Sequence, residues 1–166
     1  IPPDQFIPII EDAGLIHQIG DWVIREACAE AVQWGSRMRV AVNISAAQLT
    51  GAGLAKTVLG ALAATRLEPS RLELEVTESV FLGDDAATLA SLERLRALGV
   101  RLVLDDFGKG YSSFGYLSRA RFAKIKIDQS LVRGAADGAQ DCVAIVNAIL
   151  ALARGLGVET TAEGVE

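Results

Sequence analysis

Short β-branched runs alternate with longer amphipathic stretches along the whole chain. Five runs, 39–44, 71–76, 100–105, 122–127 and 158–162, read as strands. Helical patterns lie between most of them. Residues 15–34 form one long candidate closed by Gly35, and 54–64 form another that ends before Pro69. Leu89, Leu92, Leu95 and Leu98 recur at threefold spacing behind Asp84, a suitable cap, and Gly99 ends that segment. Residues 139–156 carry Val143, Val146, Ile149, Leu150 and Leu152 mostly along one broad face. Pro2-Pro3-Asp4 reads as a turn. Strands alternating with helices imply parallel pairing through right-handed crossovers, in a doubly wound sheet or in a (β/α) barrel.

The two faces of the strands favour the barrel. Leu72, Leu74 and Val76 share one face, and Glu73, Glu75 and Thr77 share the other. Lys124, Lys126 and Asp128 alternate with Ile125 and Ile127, and Asn43 and Ser45 oppose Val42 and Ile44. A sheet between two helix layers is apolar on both faces. One apolar face, with the other turning polar toward the strand C-terminal ends, fits an α/β fold of the (β/α)8 TIM type. The sequence holds an incomplete portion of it, about five parallel strands, with the functional mouth where those strands end. A half-exposed antiparallel sheet alternates too, but the intervening helices disfavour it.

Composition narrows the function. The chain has 166 residues, 51% of them hydrophobic, enough for one domain with a real core. Its apolar stretches are interrupted before reaching about 20 residues, so no membrane-spanning helix is expected. A net charge of −5 argues against binding a DNA or RNA polymer through its phosphates. An acidic protein can still meet a phosphate ester through cations that its carboxylates hold. Cys28 and Cys142 are the only cysteines and sit in helical apolar patterns, where buried reduced thiols are expected. The single histidine, His17, excludes a zinc site built on histidines and reads as an ordinary, partly exposed helical residue.

Asn43, Glu75, Asp105, Asp106, Lys126, Asp128 and Glu163 all fall at or near strand C-terminal ends. Oxygen donors without histidine or thiolate suit a hard cation such as Mg²⁺ or Mn²⁺. Of two adjacent aspartates, one can bridge two ions while the other serves the second, an arrangement suited to in-line displacement at phosphorus. Lys126 would then orient a water or balance developing charge. Taken singly, an Asp-Asp pair is as readily a helix cap or a turn, and Glu75 a salt-bridge partner. Gly108 and Gly110, followed by Ser112, could cradle a phosphate with backbone N–H groups; a turn into a short helix near Ser112 is the plainer reading.

Six ordered segments resemble the EAL domain family. They are Pro3-Asp4-Gln5-Phe6-Ile7-Pro8, Val42-Asn43-Ile44-Ser45, Glu73-Leu74-Glu75-Val76-Thr77-Glu78-Ser79, Asp105-Asp106-Phe107-Gly108-Lys109-Gly110-Tyr111-Ser112-Ser113, Lys124-Ile125-Lys126-Ile127-Asp128 and Thr161-Ala162-Glu163-Gly164-Val165-Glu166. The resemblance spans residues 1–166. It implies a barrel that hydrolyses cyclic di-GMP to linear pGpG with Mg²⁺ or Mn²⁺, two ions being expected. Asn43, Glu75 and Asp105 would bind metal, with Asp106 at the second ion. Lys126 and Glu163 would act on the attacking water or its surroundings. Glu78 would anchor the loop that begins at Asp105, with Asp128, Gly108, Gly110 and Ser112 as further substrate-contacting or anchoring candidates.

The same resemblance places the family's Glu-Ala-Leu triplet before Ile1 and a further glutamine after Glu166. The expected activity therefore belongs to a longer domain rather than to these residues alone. It also implies a homodimer, fusion to sensor or diguanylate cyclase domains, and a cytoplasmic location within a parent that can be membrane-anchored. The alternative within the family is a receptor module that binds cyclic di-GMP without cutting it.

Overall fold

The computed structural model describes residues 1–51, 53–81, 85–109 and 115–165. The element order is α1 (Pro3–Asp12), α2 (Ile16–Val32), β1 (Val40–Asn43), α3 (Ala46–Thr50), α4 (Leu54–Thr65), β2 (Leu72–Thr77), α5 (Asp85–Ala97), β3 (Arg101–Phe107), α6 (Gly115–Ala120), β4 (Lys124–Ile127), α7 (Gln129–Ala136), α8 (Gln140–Leu156) and β5 (Glu159–Ala162). All five expected strands are present within two residues of the expected bounds.

Every strand pair is parallel, and the spatial order is β1-β2-β3-β4-β5. That order decides between the two candidate architectures. A doubly wound sheet reverses its strand order at a switch point, which lets helices cover both faces. Here each strand adds on the same side of its predecessor, so right-handed crossovers put the helices on one face and the sheet curls as in a (β/α) barrel. The helix-covered face is the core. Leu72, Leu74, Val76, Leu102, Leu104, Ile125 and Ile127 are all buried there, packed with Leu92 and Leu95 of α5 and Ile149 of α8. Burying one such Leu or Ile side chain contributes about 1.5–3 kcal/mol.

The inner face differs from expectation in one respect. It is charged along its length and not only toward the strand ends. Glu73, almost completely buried, accepts from Lys124 at 2.7 Å and from Arg101 at 3.0 Å, with Arg39 at 3.7 Å; Arg101 also reaches Glu159 at 2.8 Å. Burial by itself would raise the Glu73 pKa. Hydrogen bonds and charges from Lys124 and Arg101 outweigh it and hold the carboxyl below its ordinary range.

Local structure departs from the sequence reading in places. The Pro2-Pro3-Asp4 segment opens helix α1 instead of forming an isolated turn, because proline suits the first helical position, where an N–H has no partner to lose. Helix α2 ends at Val32 with Gln33 as its cap, before Gly35. Helices α3 and α7 were not anticipated. A capping box starts α3, with Ser45 Oγ accepting from the Gln48 N–H and the Gln48 side chain accepting from the Ser45 N–H. Asp84, the expected cap of α5, and Ser112, near which a short helix was expected, lie outside the described residues; α6 itself begins at Gly115. Cys28 is buried, and its thiol pKa is raised by that burial; Cys142 is only half-buried, and both are free. His17 is exposed. Among the described residues, no helix is long and apolar enough to cross a membrane.

Candidate metal centre

On a regular strand, neighbouring side chains point to opposite faces, so Asp105 and Asp106 should diverge. A bulge in β3 prevents this. Leu104 pairs with Ile125 and Phe107 with Ile127, so three steps on β3 match two on β4. Asp106 absorbs the extra residue at φ 53°, in the left-handed region that aspartate tolerates better than most residues. The Asp106 N–H turns back to Asp105 Oδ1 at 3.0 Å. As a result Asp105, Asp106 and Glu163 each offer a carboxylate oxygen, and these oxygens lie within 4.8 Å of one another.

Glu163 reaches the group from beyond β5, where its N–H donates to the Ile127 carbonyl at 3.2 Å and so extends the β4–β5 pairing. Lys126 stands between the acids. Its Nζ lies 2.8 Å from Glu163, 2.9 Å from Asp105 and 3.0 Å from Glu75. Burial would lower the Lys126 pKa, but hydrogen bonds to Glu163, Asp105 and Glu75 outweigh it and push the pKa up, so the ammonium stays charged. Asn43 is at the end of β1, exposed, in register with Glu75. Glu75 is 9% exposed.

Negative charge is in excess here. The pKa of Asp106 is raised by burial and by the charges of Asp105, Asp128 and Glu163, with Lys109 opposing. A set of oxygen donors that raises the pKa of one of its own members is suited to a divalent cation. Its chemistry fits Mg²⁺ or Mn²⁺ better than a metal that prefers nitrogen or sulfur.

Asp128 is assigned a narrower place than the candidates around it. It is almost fully buried and caps α7, accepting from the Ser130 N–H at 2.8 Å and from the Ser130 hydroxyl. Burial would raise its pKa; Ser130, the charge of Lys109 and contact with Asp106 bring it down. A carboxylate so engaged anchors the start of α7 at the end of β4.

The segment after β3 is tied down by Glu78, in the 3₁₀ turn Glu78–Phe81 that follows β2. Its Oε2 accepts from the Gly108 N–H at 3.1 Å and its Oε1 from the Tyr116 hydroxyl at 2.8 Å, so one carboxylate holds both flanks of the 110–114 segment. Tyr116 stacks on Phe81 with ring centroids 3.9 Å apart. Burial and Glu78 both raise the Tyr116 pKa, keeping the phenol a donor. Gly108 sits at φ +96°, and a Cβ there would collide with the Leu131 side chain. Gly110 and Ser112 lie outside the described residues. Sequence reasoning missed Tyr116 and Lys109. Tyr116 carried a weak signal, an aromatic beside leucine directly after the glycine-serine loop; Lys109 stood inside the loop motif but was given no role.

The EAL domain family model matches residues 1–166. An uncharacterized signaling protein of Caulobacter vibrioides is 49% identical over 166 residues, which are 100% of this chain and 20% of that protein. The bifunctional diguanylate cyclase/cyclic di-GMP phosphodiesterase MucR of Pseudomonas aeruginosa is 47% identical over 170 residues, covering 100% of this chain and 25% of MucR. This chain thus spans a fifth to a quarter of the length of these relatives. The solved structure of the MucR phosphodiesterase in complex with c-di-GMP aligns at a TM-score of 0.93 and 47% identity, over 100% of this chain and 68% of that one. The chain belongs to the EAL domain family.

Proposed function

We propose that this chain is the catalytic part of a cyclic di-GMP phosphodiesterase, within a longer protein, opening the cyclic dinucleotide to linear pGpG. The observation that carries the reading is the acidic group at the mouth: Asp105, Asp106 and Glu163 brought together beside Lys126, which also contacts Glu75. The complex of the similar MucR phosphodiesterase with c-di-GMP supports the substrate.

Divalent cations, Mg²⁺ or Mn²⁺ and two in number, would be held by Asn43, Glu75 and Asp105 with Asp106 at the second ion, and donors from outside residues 1–166 would complete the set. When bound, such ions acidify water and draw charge from a phosphodiester. The chain's own residues do the rest. Lys126 keeps a fixed positive charge beside the diester, where negative charge builds as the water oxygen joins phosphorus and the ribose 3′ oxygen leaves. Glu163, hydrogen-bonded to Lys126, accepts the proton from the attacking water. Glu78 fixes Gly108, after β3, and Tyr116 of α6.

We propose further that the protein acts as a homodimer on the cytoplasmic side, fused to sensor or cyclase domains; the bifunctional name of MucR supports the cyclase fusion. The test is product analysis of the full-length protein with cyclic di-GMP and Mg²⁺ or Mn²⁺. Accumulation of pGpG supports the proposal. Saturable binding with the ligand unchanged makes the protein a receptor instead.

A further inference from the structure

Helix α5 and the end of α6 line a cleft of about 390 Å³ to which none of the acidic residues of the mouth contributes. Helix α5 runs into the start of β3 and α6 into the start of β4, so the cleft lies near the N-terminal ends of the strands. Arg96 and Glu93 line it from α5, and Ser118, Arg119 and Arg121 from the end of α6, with Leu89 as an apolar wall. Three arginines therefore line one concavity in a protein whose net charge is −5.

Only one of them is opposed. Arg96 lies 3.5 Å from Glu93, an exposed pair of little strength. Among the described residues neither Arg119 nor Arg121 makes an ion pair. Arg121 also takes φ 52°, a left-handed conformation that glycine or asparagine would adopt at lower cost. Arg66 does the same at the end of α4, so that feature is secondary to the convergence. Attraction to the helix C-terminal dipoles explains an arginine in each last turn. It does not require three around a single open cavity.

We propose that this cleft is a second ligand site, separate from the mouth, for a phosphate-bearing small molecule. Its volume is in the range of small-molecule sites. Guanidinium forks match the oxygens of a phosphate in spacing and charge. Three arginines against one glutamate leave two positive charges, which a phosphate monoester or a diphosphate neutralises.

Calorimetric titration of the full-length protein with inorganic pyrophosphate tests this, in EDTA so that the mouth contributes no cation-dependent binding. Saturable binding that weakens as salt rises is expected, about tenfold or more weaker in the Arg119→Gln/Arg121→Gln variant and unchanged in Asp105→Asn. Both arginines are exposed, and a thermal melt confirms that the variant is folded. Sedimentation with phosphatidic-acid vesicles separates the two sources of such a group. Capture that needs the same arginines identifies a lipid headgroup, and pyrophosphate binding without vesicle capture identifies a soluble compound. No saturable binding of pyrophosphate at low ionic strength, or binding that the double substitution leaves undiminished, overturns the proposal.

Discussion

Two tiers of charge line the inner face of the same strands, two residues apart on β2 and β4 and four apart between Arg101 and Asp105 and between Glu159 and Glu163, and their charge balance is opposite. In the lower tier Glu73 and Glu159 meet Arg39, Arg101 and Lys124. In the upper tier Glu75, Asp105 and Glu163 share Lys126, with Asp106 close by. The central glutamates are both buried, Glu73 at 4% exposure and Glu75 at 9%, so burial does not tell the tiers apart. Charge balance does. Glu73 is held below the ordinary carboxylate range by its cationic partners, while Asp106 is pushed above it, by burial and then by neighbouring acids. A tier whose acids are all matched by cations is a structural element. A tier with acid to spare is where a cation and its substrate can be received.

The strongest way to break this distinction is Asp105→Asn in the upper tier. It removes a negative oxygen next to Asp106 and Glu163 and a partner of Lys126, but no part of the core. Turnover of cyclic di-GMP by the full-length protein should fall by about 10⁴-fold, with the melting temperature nearly unchanged. Near-normal turnover at saturating Mg²⁺ would refute the assignment of Asp105 to the metal centre.

Lys126→Ala comes next, at about 10³-fold. If the ammonium acts where charge develops, the loss falls on kcat, and KM moves little. An effect confined to KM would make Lys126 a substrate contact only. The variant also unbalances the upper tier further, so the affinity for the divalent ion should rise or hold.

Glu73→Gln probes the lower tier. It leaves Lys124 without its carboxylate and Arg101 with Glu159 alone, at a cost of about 2–3 kcal/mol, less than for a fully buried pair because both cations keep some contact with water. That stability is fully present above the unfolded glutamate value of about 4.3. It is lost as pH falls from there through the lower folded-state value, since protonating Glu73 releases both partners. Wild type should therefore lose stability across that acid window more steeply than Glu73→Gln, as read by thermal melts from neutral pH downward. Parallel pH curves would show that the lower tier contributes nothing.

How much of this was legible in the sequence varies with the physics that sets each part. Strands and long helices were visible because Leu72, Leu74 and Val76 alternate with Glu73, Glu75 and Thr77, and because leucines recur every three residues through α5. The carboxylates of the upper tier were visible from their position at strand ends. The lower tier was not recognised, although Glu73 and Lys124 sit in the same alternating pattern, because pairing between strands depends on register and period alone does not supply it. The bulge at Asp106 had no sequence signal; a second aspartate continues the strand pattern as readily as it interrupts it. Helix α3 is readable from Ser45 and Gln48, whose spacing is that of a capping box, but Ser45 also continues the alternation of the strand before it. Asp128 likewise resembled its neighbours at the strand ends, and only its hydrogen bonds to Ser130 identify it as a cap.

The smallest effect, and the finest test of the difference between the tiers, is expected from Tyr116→Phe. Beside the upper tier Glu78 accepts from the Gly108 N–H and the Tyr116 hydroxyl, whereas the lower-tier pairs Glu73–Lys124 and Glu73–Arg101 join strands directly. Phenylalanine keeps the ring stacked on Phe81 and removes only the hydroxyl that donates to Glu78. Glu78 retains Gly108, and water can replace the lost donor, so the cost is about 1 kcal/mol, equivalent to roughly a fivefold fall in turnover. Amide exchange at Gly108 and Lys109 should quicken, while the acid-stability profile set by Glu73 stays as in wild type. Glu78→Ala, which removes both holds, should move the same amides further in the same direction. If Tyr116→Phe slows turnover with exchange at Gly108 and Lys109 unchanged, the hydroxyl is not acting through the loop, and the clamp must be assigned to Glu78 and Gly108 alone.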